Sequence, residues 1–513
     1  MGKSEGKTDL RMGIFSDTKD WIPFLRPGAN SLGNSRRGRI RSLCTFKHSQ
    51  LKKLTIFFLR GILFMALYAL LVGEYNLYGI PEKKTDWHHM PGQRSPQWIE
   101  DGPLYEIFVR AFSEQGTFRQ VEQRLDYLQD LGVSAIWLMP VYPIGQKGRK
   151  GKLGSPYSVQ DYFKVNPELG TAEDLRSLIN NVHRRGMHII VDMVANHVSN
   201  DYIEMKNRPF LFARDAQGNF TREVADWSDV TDFDYSRTET RLYMKEVMKY
   251  WINTFDFDGF RCDVAGMVPT DFWEETVAEL RQIKPDIYML AEWEDPALQV
   301  RAFHSTYDWT LYHLLKDIRN GKKPAVMAVR WVEEKRAFYP QNALPLRFIE
   351  NHDEQRAAAV FGKEGFKPFI AFIFSIYGVP LIYNGQEWGE SQKPTLFDKV
   401  HINWDKRDDE IRAFYKKLIR LRKLHPALPS RQLTPVGNNQ PDKIISFLKS
   451  AEQERILVVL NTAEKEFKIA LNVNSELSGK TFRDLFSGKR IKEKNDQIEM
   501  KLEPFSAMWW LVE

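Results

Sequence analysis

Four acidic side chains hold comparable places in this sequence. Asp192, Asp263, Glu292 and Asp353 each end or follow a short apolar run, and Asn196, His197, Arg261 and His352 accompany them. Grouped carboxylates repel and raise one another's pKa, so a fold does not gather them for stability alone. Retaining glycoside hydrolysis uses such a group. One carboxylate attacks the anomeric carbon, a protonated one delivers its proton to the leaving oxygen, and others stabilise the positive, oxocarbenium-like transition state. Arg261 stands two residues before Asp263, hence on the same strand face, where its guanidinium can keep Asp263 ionised. Metal-assisted hydrolysis is the rival use of grouped acids and histidines, and the chain has no His-Glu-x-x-His pattern for it.

Residues so far apart in sequence need a scaffold that brings strand ends together. From about Leu104, short apolar runs alternate with longer amphipathic stretches. Strands are predicted at 104–109, 135–139, 188–193, 259–264, 287–292, 346–349 and 380–383, with a weaker eighth at 302–307. Helical periods lie between them, as at 118–131, 172–185, 238–254 and 270–283. This alternation predicts an α/β fold, a (β/α)8 TIM barrel, whose chemistry collects at the C-terminal strand ends. Asp263 and Glu292 are 29 residues apart, one strand-helix-strand unit, and so fall on adjacent strands. Beyond residue 430 the pattern changes to short strand-like runs at 444–449, 456–460, 467–471 and 506–512, which predict a C-terminal antiparallel β-domain.

Composition agrees with a folded enzyme. The 513 residues are 43% hydrophobic and 27% charged, which excludes wholesale disorder. Cys44 and Cys262 are too few for a disulfide scaffold or a Cys-rich zinc site. The net charge of +6 is local: residues 1–60 carry 13 basic and 4 acidic side chains, leaving 60 basic and 63 acidic. A basic nucleic-acid face on the folded part is therefore not expected.

Within the N-terminal part, residues 54–72 are apolar except for Arg60, and the uninterrupted stretch 61–73 is 13 residues long. That is short for a membrane span and suits a signal-peptide core, with Lys52 and Lys53 as its positive flank. A cleaved export signal and a retained membrane anchor through 54–73 stay open beside a buried helix, and a start near Leu51 would make the signal conventional. The expected location is exported, periplasmic or secreted, or held at the membrane. The expected organisation is a basic tail (1–50), the apolar segment (51–73), a linker (74–99), the barrel (100–428) with 198–231 as a short insertion after the third strand, and a C-terminal β-sandwich (429–513).

The blocks Asp192-Met-Val-Ala-Asn196-His197, Gly259-Phe-Arg261-Cys-Asp263, Ala-Glu292-Trp and Glu350-Asn-His352-Asp353 occur in this order at barrel-compatible spacing. With Tyr157-Ser-Val-Gln-Asp161 upstream, they resemble glycoside hydrolase family 13, the α-amylase family, over residues 100–513. The resemblance implies Asp263 as nucleophile, Glu292 as acid/base and Asp353 as a binder of the sugar being cleaved. It implies that Arg261 orients Asp263, that His197 and His352 bind hydroxyls, and that Tyr157 stacks on the sugar ring. Asp192 and Asp161 would be architectural. Asn196 and Asp232 match positions that hold a structural calcium in many α-amylases, although two oxygen ligands are few for that ion. No organic cofactor is implied. Cys262 should point away from Arg261 and Asp263 into packing, and Trp509 and Trp510 should be core of the β-domain.

The expected substrate is an α-1,4-linked maltooligosaccharide or starch-type α-glucan, cleaved through a covalent glucosyl-enzyme intermediate. After Asp263 the chain reads Val264-Ala-Gly266-Met267, without the Lys-His pair with which many endo-acting relatives grip the leaving-group side. That wording is closer to members acting on cyclodextrins or short maltooligosaccharides. Transglycosylation, α-1,6 or cyclodextrin activity, and a catalytically silent membrane-anchored binding subunit are the alternatives.

Overall fold

The computed structural model describes residues 86–100, 102–472, 476–494 and 497–513; the basic tail, the apolar segment and residues 74–85 of the expected linker lie outside them. Among the described residues no helix is long and apolar enough to cross a membrane.

Eight short strands build the first sheet: β1 (Leu104–Ile107), β2 (Ala135–Leu138), β3 (His188–Met193), β4 (Gly259–Cys262), β5 (Tyr288–Ala291), β6 (Ser305–Thr306), β7 (Leu346–Arg347) and β8 (Val379–Tyr383). They pair in parallel in the order β6-β5-β4-β3-β2-β1-β8-β7. A parallel bridge between Tyr307 and Leu346 joins β6 to β7 and closes the ring into a (β/α)8 barrel. Side chains alternate across each strand. Leu104, Trp137, Ile190, Leu290, Leu346 and Leu381 fill the interior. Ile107, Ile136, Ile189, Phe260, Cys262 and Met289 face the surrounding helices. Cys262 thus packs outward while Arg261 and Asp263 face the axis.

The helices follow their sequence periods. Helix Ala172–Arg184 starts at Thr171, whose hydroxyl accepts from the Asp174 N–H while the Asp174 carboxylate accepts from the Thr171 N–H, a capping box. Leu175, Leu178, Ile179 and Val182, spaced at three and four, are its buried face. Residues 118–131 form two helices, Phe118–Glu122 and Leu125–Leu131, because Arg124 leaves helical geometry at φ −104°, ψ 5°. Such a one-residue break leaves the hydrophobic period intact, so pattern alone does not reveal it.

After β3 the chain makes an antiparallel hairpin of His197–Ser199 with Val230–Asp232, and the inserted loop closes between its strands. Tyr202, Leu211, Phe212, Phe233 and Tyr235 pack under that loop. The hairpin pins His197, Asn196 and Asp232 at one end of the barrel.

The C-terminal part adds β9 (Gln432–Pro435), β10 (Ile444–Ala451), β11 (Glu454–Asn461), β12 (Phe467–Asn472), β13 (Thr481–Asp484), β14 (Arg490–Lys492), β15 (Gln497–Leu502) and β16 (Ala507–Val512). Six form a sheet in the order β9-β10-β11-β16-β13-β14, and β12 pairs with β15. The period of two divides the large sheet's side chains. Ile444, Leu448, Leu457 and Trp510 point into the sandwich. Phe447, Ile456, Val458, Leu460 and Trp509 point into the core shared with the barrel helices.

Candidate active site

The polar side chains gather where the barrel strands end. On β4, Arg261 is fully buried and its guanidinium reaches three carboxylates. Nη1 lies 2.8 Å from Asp192 and 3.3 Å from Asp263, and Nη2 lies 2.6 Å from Glu292. The cation also stands over the Trp137 ring, 5.1 Å from its centroid. One fixed fork therefore positions acids from β3, β4 and the end of β5. The Asp263 Oδ1 oxygen takes the Arg261 contact, while Oδ2 is buried and accepts no hydrogen bond among the described residues. His197 Nε2 stands 3.9 Å from that free oxygen.

A strained turn after β4 reaches across to the end of β5. Val264 has φ 37°, a left-handed conformation that a β-branched residue rarely adopts. In this conformation its N–H donates to Glu292 Oε2 at 2.8 Å. Strain of about 1–3 kcal/mol persists at a functional site when the surroundings over-determine it.

A second arm comes from β1 and the loop after β7. His352 bonds Glu106 through Nδ1 and the Tyr157 hydroxyl through Nε2, the latter at 2.7 Å. Tyr157 also donates to Asp192 Oδ2 at 3.1 Å, and its ring stacks on His352 with centroids 5.5 Å apart. Asp353 lies 3.2 Å from His352 Nε2 and is the open member of the group, with 42% of its side chain exposed. Asn351 Oδ1 accepts from the Asp353 and Glu354 N–H groups and fixes this turn.

Burial dominates the electrostatics. It pushes Asp263 well above the usual carboxylate range, helped by the Glu292 charge and opposed by Arg261. It raises Glu292 too, again opposed by Arg261. The two titrate as a pair, and together they hold a proton more tightly than ordinary carboxylic acids. Burial likewise raises Asp192 and Glu106. It opposes charge on His352, yet Asp353 and Glu106 outweigh it and bring that imidazole up to about 9. Burial pulls His197 down to about 4, so its imidazole is neutral.

The structure thus brings together Asp192, Asp263, Glu292, Asp353, Arg261, Tyr157, His197 and His352. Asp161 is buried nearby and accepts from the Phe163 N–H, at 2.9 Å. Asn196 and Asp232 sit at the base of the inserted hairpin, Nδ2 to Oδ1 3.5 Å, and Asp232 Oδ2 accepts from the Glu223 N–H at 2.6 Å. Among the described residues no group of three or more His, Cys, Asp or Glu is arranged to hold a metal. Sequence reasoning missed Glu106. Its signal was a lone carboxylate at an inward position of an otherwise apolar strand. It also missed Trp227 of the inserted loop, whose ring is 5.1 Å from His197.

A closed barrel with acids converging at the C-terminal ends of its strands defines a barrel glycosidase. Family comparison agrees: residues 106–209 and 217–412 match the α-amylase catalytic domain, and residues 436–509 match the maltogenic amylase C-terminal domain. The chain belongs to glycoside hydrolase family 13, the α-amylase family, and is a glycoside hydrolase of α-glucans. It is 30% identical to α-amylase 2 of Dictyoglomus thermophilum over 85% of this chain and 80% of that protein. It is 26% identical to the maltogenic α-amylase of Bacillus acidopullulyticus over 81% and 78% of the two chains. The crystal structure of a noncanonic maltogenic α-amylase, AmyB, from Thermotoga neapolitana superposes with a TM-score of 0.76 at 33% identity, covering 81% of this chain and 99% of that one.

Proposed function

We propose that this enzyme hydrolyses α-1,4-glucosidic bonds of maltooligosaccharides and starch-type α-glucans with retention of configuration. The observation that carries the reading is the shared fork: Arg261 holds Asp263 by Oδ1 and Glu292 by Oε1, and leaves Asp263 Oδ2 free. In this reading Oδ2 attacks the anomeric carbon as Glu292 gives its proton to the leaving oxygen. The C1–O bond breaks and a covalent glucosyl ester forms on Asp263; water then attacks C1, the C1–Oδ2 ester bond breaks to free the Asp263 carboxylate, and the Glu292 carboxylate takes the water's proton. Asp353 and His352 bind hydroxyls of the same sugar, His197 binds another, and Tyr157 stacks on its ring. Relatives named as maltogenic amylases support short maltooligosaccharides as substrate or product.

Product profiling on maltoheptaose, a cyclodextrin, panose and pullulan, with the first-formed anomer followed by NMR, tests this. An α-anomer and short linear products are expected. A β-anomer would overturn retention, and oligosaccharides longer than the substrate would mark transfer as the main activity. Structural calcium is a proposal of the same kind. Asn196 and Asp232 would hold the ion, with backbone carbonyls and water completing the about six to eight oxygens it takes. Burial raises Asp232 to about 6, and a bound cation would bring it down. Chelation that leaves the melting temperature unchanged would remove it. Export through the apolar segment is proposed as well, and an intact N-terminus on the mature cell-surface protein would argue for anchoring instead.

A further inference from the structure

Lys335 is fully buried, and its ammonium is shared by two carboxylates. Nζ lies 2.7 Å from Glu294 Oε1 and 2.9 Å from Asp308 Oδ1. It also stands over the Tyr339 ring, 4.5 Å from the centroid. The lysine comes from helix Val326–Phe338, Asp308 lies just past β6, and Glu294 is two residues beyond Glu292. Three elements therefore meet at one cation. Arg347 of β7 pairs with the other Asp308 oxygen, so the four charges balance. Burying an ion pair costs desolvation, and apolar side chains of similar volume often serve stability equally well.

What the cation does follows from what its partners hold. Asp308 Oδ1 accepts from the Leu311 N–H, and Glu294 Oε2 accepts from the Thr310 N–H at 2.9 Å, both in the first turn of helix Trp309–Arg319. The Trp293 carbonyl accepts from the Tyr307 N–H at 3.0 Å. The Trp293 ring packs on Gly266, where a Cβ would come within 2.1–2.3 Å of the indole. The chain that follows Glu292 is thus stitched to the end of β6 and to the turn after β4. Two carboxylates reach the same point there, and the ammonium between them turns their repulsion into a tie.

We propose that Lys335 is a positioning residue: through Glu294 it fixes the main chain that carries Glu292, and so aims the proton donor at the glycosidic oxygen. This rests on Glu292 being the acid. To protonate the leaving oxygen, the Glu292 carboxyl must loosen from Arg261, and a side chain that moves needs a backbone that stays. Misplacing a reacting group by about 1 Å costs about 10²-fold in rate. Without the ammonium, Glu294 and Asp308 push apart, and the loop that bears Glu292 shifts with Glu294.

α-Maltosyl fluoride, whose departing ion needs little protonation, separates aiming from folding when it is used beside maltotriose. Lys335→Met should lower kcat/KM on maltotriose about tenfold more than on the fluoride. Lys335→Arg, which keeps the cation, should restore most of the loss. Glu294→Gln should show the same split, and the double variant should lose no more than either single one, because the two side chains act through one contact. The double variant also removes one charge of each sign and leaves Arg347 with Asp308, so it decides the matter if Lys335→Met alone does not fold. Equal losses on the two donors, additive losses or no loss would overturn the positioning role. Glu292→Gln is the control. If it loses equally on both donors, the reading of Glu292 as the acid falls, and the clamp with it. If it shows the split while the Lys335 and Glu294 variants do not, the clamp alone falls.

Discussion

Arg261 Nη2 stands 2.6 Å from Glu292 Oε1, a shorter contact than the 3.3 Å between Arg261 Nη1 and Asp263 Oδ1. The residue read as proton donor therefore lies nearer the guanidinium, while Asp263 takes its hydrogen bond from Nη1 and keeps one oxygen bare. Burial raises both carboxyls, so the proton in this resting arrangement belongs to the pair. A sugar entering the pocket brings its glycosidic oxygen toward Glu292, and moving the proton from the pair onto Glu292 requires that its contact with Arg261 loosen.

Glu292→Gln removes the proton donor and keeps the shape. Turnover of maltotriose should fall about 10²–10⁴-fold, with a smaller loss on α-maltosyl fluoride, whose departing ion needs little protonation. Wild-type kcat/KM should decline on the alkaline side, because burial raises the pair and the last proton leaves late. The variant should lack that limb. Parallel pH profiles of wild type and variant check it.

Arg261→Ala leaves three carboxylates without their cation. Removing one member of a buried ion network costs about 3–5 kcal/mol. The orphaned acids then bind protons more tightly when folded than when unfolded. The variant's melting temperature should accordingly recover as pH falls toward 4–5, where thermal unfolding of the wild type should gain less.

His352 carries a pH signature of its own. Its folded pKa, about 9, lies above the ordinary 6.5. The stabilisation is present in full below 6.5 and is lost as pH rises through 9. Denaturant midpoints measured from pH 6 to 10 should fall across that window, and His352→Asn should flatten the fall.

Val264→Gly relieves a left-handed β-branched residue. The expected result is lower kcat with little or no loss of stability, since strain relief of about 1–3 kcal/mol offsets the lost side chain and the turn presenting its N–H to Glu292 slackens. Calorimetry beside steady-state kinetics checks both halves.

Much of this arrangement was legible in the chain. The period of two on β4 put Arg261 and Asp263 on one face and Cys262 on the other, and each is where that period requires. The order of the acidic blocks gave adjacent strands for Asp263 and Glu292. What pattern could not supply is contact between elements with no periodic relation. The Glu106–His352 bond spans β1 and the loop after β7, and Lys335 reaches Glu294 from a helix whose own period is unremarkable. Gly266 read as a turn residue, while the feature that explains it, the indole of Trp293, lies a whole strand-helix unit away. Strand ends shifted for a simpler reason: β7 keeps only Leu346 and Arg347 in the ladder because the chain then turns to present Glu350, Asn351 and His352.

The six-stranded C-terminal sheet lends one whole side to the barrel. Phe447 meets Phe372 edge-on at 5.7 Å, and Trp509 sits fully enclosed in the common interior. Trimming the chain after its last barrel helix, Asp409–Leu424, would bare a greasy wall on the enzyme's flank rather than free an independent catalytic module. Barrel and sandwich should melt as one body, and the C-terminal sheet is a condition for the pocket to exist at all.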